Sequence, residues 1–202
     1  ITYLRSMPNM SIVVPKDESE LRRVIVTALA HRSGPIAFRY PRGEGVGVPL
    51  DDIPVPLPEG KAEWLRRGSE AAILAVGPVV YEAVRAAEQL ATEGVAVAVV
   101  NARWVKPLDE ELLQEVFTTY PMVVTMETGA AAGGFGSAVA EWAAAHPEHV
   151  LGSTQLRICG FPDHFIDHGD TTLQYHEMGL DAAGVSSLIR SARVGPTPHS
   201  VN

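Results

Sequence analysis

Two arginines stand three positions apart in Arg39-Tyr40-Pro41-Arg42-Gly43, where a strand predicted over residues 36–40 ends. A guanidinium presents a planar fork of donors that matches a phosphate, and Pro41 with Gly43 would fix the turn that aims it. At the carboxyl end of a strand this pair faces the side on which α/β sheets bind ligands. A surface ion pair would use the same residues equally well. Four further groups could carry chemistry. The stretch Gly129-Ala130-Ala131-Ala132-Gly133-Gly134-Phe135-Gly136 leads into a helix whose first amides could hold an anion. It lacks the lysine of a P-loop and the spacing of a dinucleotide fingerprint, so close packing against a sheet or a partner subunit is the preferred use. Glu127, at the end of a strand, could meet a ligand or cap those amides, and capping is preferred.

His164 and His168, with Asp163 and Asp167 between Gly160 and Gly169, have the i, i+4 spacing of zinc ligands. Pro162 and Gly169 oppose the regular helix that spacing needs, so no metal site is assigned. The single cysteine, Cys159, cannot form an internal disulfide. It lies in the apolar run Leu156-Arg157-Ile158-Cys159 with no flanking histidine motif, and reads as a small buried hydrophobe.

The elements that must position these residues follow from periodicity. Residues 11–14 form a short β-branched run stopped by Pro15, and Asp17 caps a helix with Glu20 as its capping-box partner and Leu21, Val24, Ile25 and Ala28 at helical spacing. After Gly34-Pro35 comes the strand that ends in the arginines, which completes one strand, crossover helix, strand unit. Residues 43–60 are rich in Gly, Pro and Asp, with Pro49, Pro54, Pro56 and Pro58 opposed to regular structure, and read as a linker. Beyond it, strands are predicted over 61–66, 71–76, 95–100, 121–126 and 155–159. Helices are predicted over 79–92, from Asp109 to 117, over 134–145 and over 181–192, and Asn101 to Asp109 forms a strand-to-helix connection with Trp104 as its packing anchor. This is an α/β alternation, with helices expected on the faces of a parallel sheet.

Of the 202 residues, 46% are hydrophobic and 20% charged, the balance of a globular protein with a sizeable core. The net charge of -8, with acids and bases interspersed, leaves no basic stripe for nucleic acid. No apolar run approaches the roughly 20 residues of a membrane span and no signal segment opens the chain, so a cytoplasmic location is expected. The sequence begins with Ile1 and runs at once into Tyr3-Leu4-Arg5-Ser6-Met7-Pro8-Asn9, which is expected to lie inside a domain rather than at a free terminus.

That segment, Arg39 to Gly43, Asn101 to Asp109, Gly133-Gly134-Phe135-Gly136-Ser137, Gly160 to Gly169 and Gly179-Leu180-Asp181-Ala182-Ala183-Gly184 occur in one order. The succession, from Tyr3 to near Arg190, resembles the carboxyl-terminal portion of the 1-deoxy-D-xylulose-5-phosphate synthase family within the transketolase superfamily. The resemblance implies the end of a thiamine-binding (pyrimidine) α/β domain over 1–43, a linker over 44–60, a transketolase C-terminal-like α/β sheet domain over 61–193 and a disordered tail over 194–202. It implies an enzyme that condenses pyruvate with glyceraldehyde 3-phosphate, with loss of CO2, to supply isoprenoid and thiamine precursors, with thiamine diphosphate as electron sink and Mg2+ as its metal.

It places the metal motif, the activating glutamate and the acceptor-binding histidine and aspartate upstream of Ile1, so this chain is expected to hold no catalytic, cofactor or metal residue. Arg42 is then the residue expected to grip the substrate phosphate, with Arg39 second. Partners implied are the amino-terminal part of the same enzyme and a second copy in a homodimer. Thr128 stands where the family often has a second acid. The β subunit of a 2-oxoacid dehydrogenase shares the layout, but the arginines and the Asp163 to His168 loop fit the synthase better; transketolase itself is a weaker third choice. As an isolated piece the chain would be an inactive dimerisation module.

Overall fold

The computed structural model describes residues 1–152 and 154–193; the tail expected over 194–202 lies outside the described residues. After a single helical turn, α1 (Thr2–Arg5), come β1 (Ser11–Val13), α2 (Glu18–Ala30) and β2 (Ile36–Phe38). β1 and β2 pair in parallel, Ser11 opposite Ile36 and Val13 opposite Phe38, the expected strand, helix, strand unit. Residues 39–62 contain no helix or strand, yet they are tied down along α2. The Glu18 carboxylate accepts the amides of Val46, Gly47 and Val48 at 2.9, 2.6 and 2.9 Å. Arg22 donates to the Asp51 carbonyl, and Thr27 Oγ1 accepts the Leu57 amide, which buries Leu57. The proline-rich segment is thus a strap.

The second sheet is built from β3 (Glu63–Arg66), β4 (Ala71–Ala75), β5 (Val97–Asn101), β7 (Met122–Ala130) and β8 (Gln155–Phe161), in the order β3-β5-β4-β7-β8. All neighbours are parallel except β3, which runs antiparallel along the β5 edge. Strand residues point alternately to opposite faces. Ala71, Ile73 and Ala75 therefore pack with α3 (Val80–Thr92) and α7 (Ala182–Arg193). Ala72 and Leu74 pack with α4 (Glu110–Thr119) and α5 (Phe135–Ala145) on the other face, where Ile12 and Val14 join them. A parallel sheet covered on both faces explains the continuous apolar run of β4. A short helix, α6 (Thr171–Glu177), precedes α7 and was not foreseen.

The two sheets share a seam. β6 (Trp104–Lys106), in the stretch expected to be a plain connection, leaves the second sheet and pairs antiparallel with β1, giving a three-stranded sheet β2-β1-β6. Trp104 is buried there with Val13, Val24 and Leu57, the packing anchor its size suggested. Asp17 caps α2 by accepting the Glu20 amide, as expected. Glu20 itself does something else: buried at the seam, its Oε1 receives Arg103 Nε at 2.5 Å and Asn101 Nδ2 at 2.8 Å, and its Oε2 receives the Lys16 amide. A carboxylate removed from water needs a cation and hydrogen bonds to be tolerated, and Arg103, 83 residues away, supplies the cation.

Candidate functional site

At the carboxyl ends of β1 and β2 a cleft of about 590 Å³ opens between the first unit, the strap and the first turns of α3. Lys16, Asp17, Arg42, Tyr81, Arg85 and Tyr175 are among the side chains that line it. Its place follows from the sequence: Pro15 stops β1, the strap begins where Pro41 turns the chain, and Gly77, at φ +77°, lets β4 turn into α3 directly against Val14. Arg42 is exposed in this cleft and forms no ion pair with the described residues, so its guanidinium is open to a ligand. Glu18 and Glu82 line the same cleft but are engaged, Glu18 by the three strap amides and Glu82 by Arg85 and the Ala182 amide. Glu44 is exposed at the rim.

Arg39 goes elsewhere. Its two terminal nitrogens donate to Thr128 Oγ1 at 2.9 Å and to the Thr128 carbonyl at 2.6 Å. It thereby joins the end of β2 in the first sheet to β7 in the second, and only Arg42 of the pair is left free in the cleft. The position of Thr128, where an acid was expected from the resemblance, is thus the anchor of Arg39 through neutral oxygens.

Glu127 lies within β7, which runs four residues beyond its expected end. Between Met126 opposite Cys159 and Ala130 opposite Phe161, residues 127–129 face the single residue Gly160, a bulge that re-aims side chains. Glu127 is 1% exposed, and its Oε1 accepts the Gly136 amide at 2.9 Å under the first turn of α5. Its Oε2 has no partner among the described residues. Burial pushes its carboxyl above the usual range, against the pull of the Gly136 and Phe135 amides and of Arg39 and Arg5. A Cβ at Gly134 would overlap the Glu127 carboxylate and the Ala130 carbonyl, so this glycine is what admits the close approach. The amides that could have held an external anion hold Glu127 instead.

His164 and His168 are exposed on the loop after β8, and among the described residues no three His, Cys, Asp or Glu side chains gather to hold a metal ion. Burial pushes the Cys159 thiol up to about 11, which keeps it protonated and unreactive near neutral pH. Lys16, Tyr81, Arg85 and Tyr175 were not singled out by motif: their meeting depends on how the two units dock. The one local signal was Lys16-Asp17, just past the Pro15 that stops β1, in the place where strand ends meet ligands. Among the described residues no helix is long and apolar enough to cross a membrane.

Two α/β units, a strap between them and a cleft at strand carboxyl ends define the class of protein. Residues 60–185 match the transketolase C-terminal domain and residues 1–46 the transketolase pyrimidine binding domain, and the chain belongs to the transketolase family. Within it, the chain is similar to 1-deoxy-D-xylulose-5-phosphate synthases: 44% identical over 191 residues to that of Geobacillus thermodenitrificans, and 47% identical over 187 residues to that of Thermomicrobium roseum. These alignments cover 95% and 93% of the chain but 30% and 29% of the relatives, so it spans less than a third of their length. Among solved structures, a split-gene transketolase, an inactive β4 tetramer, is similar with a TM-score of 0.79 and 29% identity over 96% of this chain and 60% of that one. The resemblance seen in the ordered motifs is thereby borne out.

Proposed function

We propose that this chain is the carboxyl-terminal part of a thiamine-diphosphate-dependent synthase that joins pyruvate to glyceraldehyde 3-phosphate, releasing CO2 and forming 1-deoxy-D-xylulose 5-phosphate. The observation that carries this reading is the 41–47% identity to synthases of that name over at least 90% of the chain. Thiamine diphosphate and Mg2+ are assigned to other segments of the enzyme, as the resemblance to the synthase family implies. What this chain contributes is substrate binding. Arg42 holds the phosphate of the aldehyde acceptor in the cleft, its fork donating to two phosphate oxygens. Arg39, fixed on Thr128, holds the end of β2 so that the turn at Pro41 presents Arg42.

In the intact enzyme Arg42→Ala should raise the KM for glyceraldehyde 3-phosphate about tenfold or more, since a hydrogen bond to a charged group is worth roughly 1.5–3 kcal/mol. The KM for pyruvate should stay within about twofold. Steady-state kinetics with an unchanged acceptor KM and an unchanged kcat would remove Arg42 from the site.

The inactive β4 tetramer formed by the similar split-gene transketolase favours a second reading, for the chain by itself. Alone, the 202 residues are an assembly module without turnover.

A further inference from the structure

Lys16 follows β1 at the point where the chain turns into α2. Its main-chain amide donates to Glu20 Oε2 at 2.7 Å, so the backbone there is fixed by the seam. Its ammonium lies 2.9 Å from Asp17 Oδ2. The same oxygen accepts the Tyr81 hydroxyl at 2.7 Å, while Asp17 Oδ1 is occupied by the Glu20 amide at 2.7 Å. Tyr81 belongs to α3, so one carboxylate, its side chain 3% exposed, binds a lysine from the first unit and a phenol from the second, and all three line the cleft. An ammonium has three donors. Asp17 takes one, and the Lys16 side chain, 19% exposed, lines the same cleft as Arg42.

A phosphomonoester carries a charge of about -1.5 to -2 near neutral pH, more than one guanidinium neutralises. Of the carboxylates that line the cleft, Glu18 is engaged by the strap amides, Glu82 by Arg85 and the Ala182 amide, and Asp17 by the Glu20 amide, Lys16 and Tyr81, while Glu44 stands exposed at the rim. A flexible point charge complements a rigid fork, since it can follow whichever oxygen the fork leaves open.

We propose that Lys16 is a second cation of this site, gripping together with Arg42 the phosphate of a small phosphomonoester, and that Asp17 and Tyr81 are positioning residues that hold its ammonium. The inference rests on the assignment of Arg42 above and extends it to a second cation that lines the same cleft. Tyr81 acts only through Lys16: without its hydroxyl, Asp17 Oδ2 loses a donor and the carboxylate is free to turn away from the ammonium.

The test is calorimetric titration of the intact enzyme with glycerol 3-phosphate, inorganic phosphate and glycerol, with thermal unfolding as the check on folding. The wild type should bind glycerol 3-phosphate more tightly than inorganic phosphate, and glycerol not at all. Lys16→Met should weaken glycerol 3-phosphate binding about tenfold, as loss of a charge-assisted contact does, and Lys16→Arg should restore it to within about threefold. Tyr81→Phe should weaken binding about threefold in the wild-type background and not at all in the Lys16→Met background. A merely structural defect would weaken both backgrounds alike and would overturn the positioning role. If Arg42→Ala weakens binding while Lys16→Met leaves it unchanged, the assignment of Arg42 stands and that of Lys16 falls. If the wild type does not bind, or neither variant matters, both fall. Equal affinity for inorganic phosphate and glycerol 3-phosphate would overturn the phosphomonoester and leave a site for free anions.

Discussion

Glu127 accepts the Gly136 amide on one carboxylate oxygen, while the other has no partner among the described residues. The sequence placed it where a carboxylate caps a helix, and it does accept the Gly136 amide. Burial could not be foreseen, because it depends on the bulge opposite Gly160 and on the close approach at Gly134. Its carboxyl is raised above the ordinary range, chiefly by burial, so the folded chain holds that proton more tightly than the unfolded chain. The stabilisation from this group is therefore fully present below the ordinary carboxylate range and is lost as pH rises through the raised value. Glu127→Gln keeps an oxygen for Gly136 and never ionises. The variant should gain on the wild type between pH 4 and pH 8, because only the wild type must then ionise a buried carboxyl. Urea denaturation at both pH values measures the gain, and a stability difference independent of pH would contradict the assignment.

At the scale of elements, the seam is held by β6 and by a buried ion pair. Asp17 and Asp109 were legible as caps because the signal lies within three residues of each: they accept the amides of Glu20 and Leu112. The alternation of β4, β5 and β7 with α3, α4 and α5 was legible for the same reason, from apolar runs and helical spacing. β6 was not, since three residues carry no period and its partner, β1, lies some 90 positions earlier in the chain. The Glu20 and Arg103 pair was hidden for a like reason, and local logic assigned Glu20 to a capping box. Removing one partner of a buried pair strands the other, at a cost of about 3–5 kcal/mol, whereas replacing both with apolar groups is often close to neutral. Arg103→Met should destabilise by that amount. Arg103→Met combined with Glu20→Met should recover at least half of the loss, even with Glu63, the second partner of Arg103, left in place. Chemical denaturation of the two single variants and the double variant gives the coupling, and additive losses would mean that the pair does not hold the seam.

For the whole molecule, what is left uncovered matters as much as what is packed. Single exposed apolar side chains are ordinary on a protein surface. Here, Ile25 and Leu29 lie four residues apart on α2, 42% and 72% exposed, while Val24 and Thr27 on the same helix are buried. The strap carries Leu50, Ile53 and Val55, also exposed, alongside the same helix, held there by Arg22 and Arg23. A helix face and a strap that together present this much apolar surface are a candidate contact for a second copy of the chain. Light scattering of the purified chain should therefore give a mass above the 21.6 kDa of one copy. Leu29→Lys with Ile53→Lys should shift it towards one copy, because two desolvated charges in an apolar contact cost more than it returns. Calorimetry on the same sample should show no micromolar binding of thiamine diphosphate and the enzyme assay no turnover. A monomer that binds the cofactor tightly would mean that the chain carries an anchoring set made from residues other than those that line the cleft.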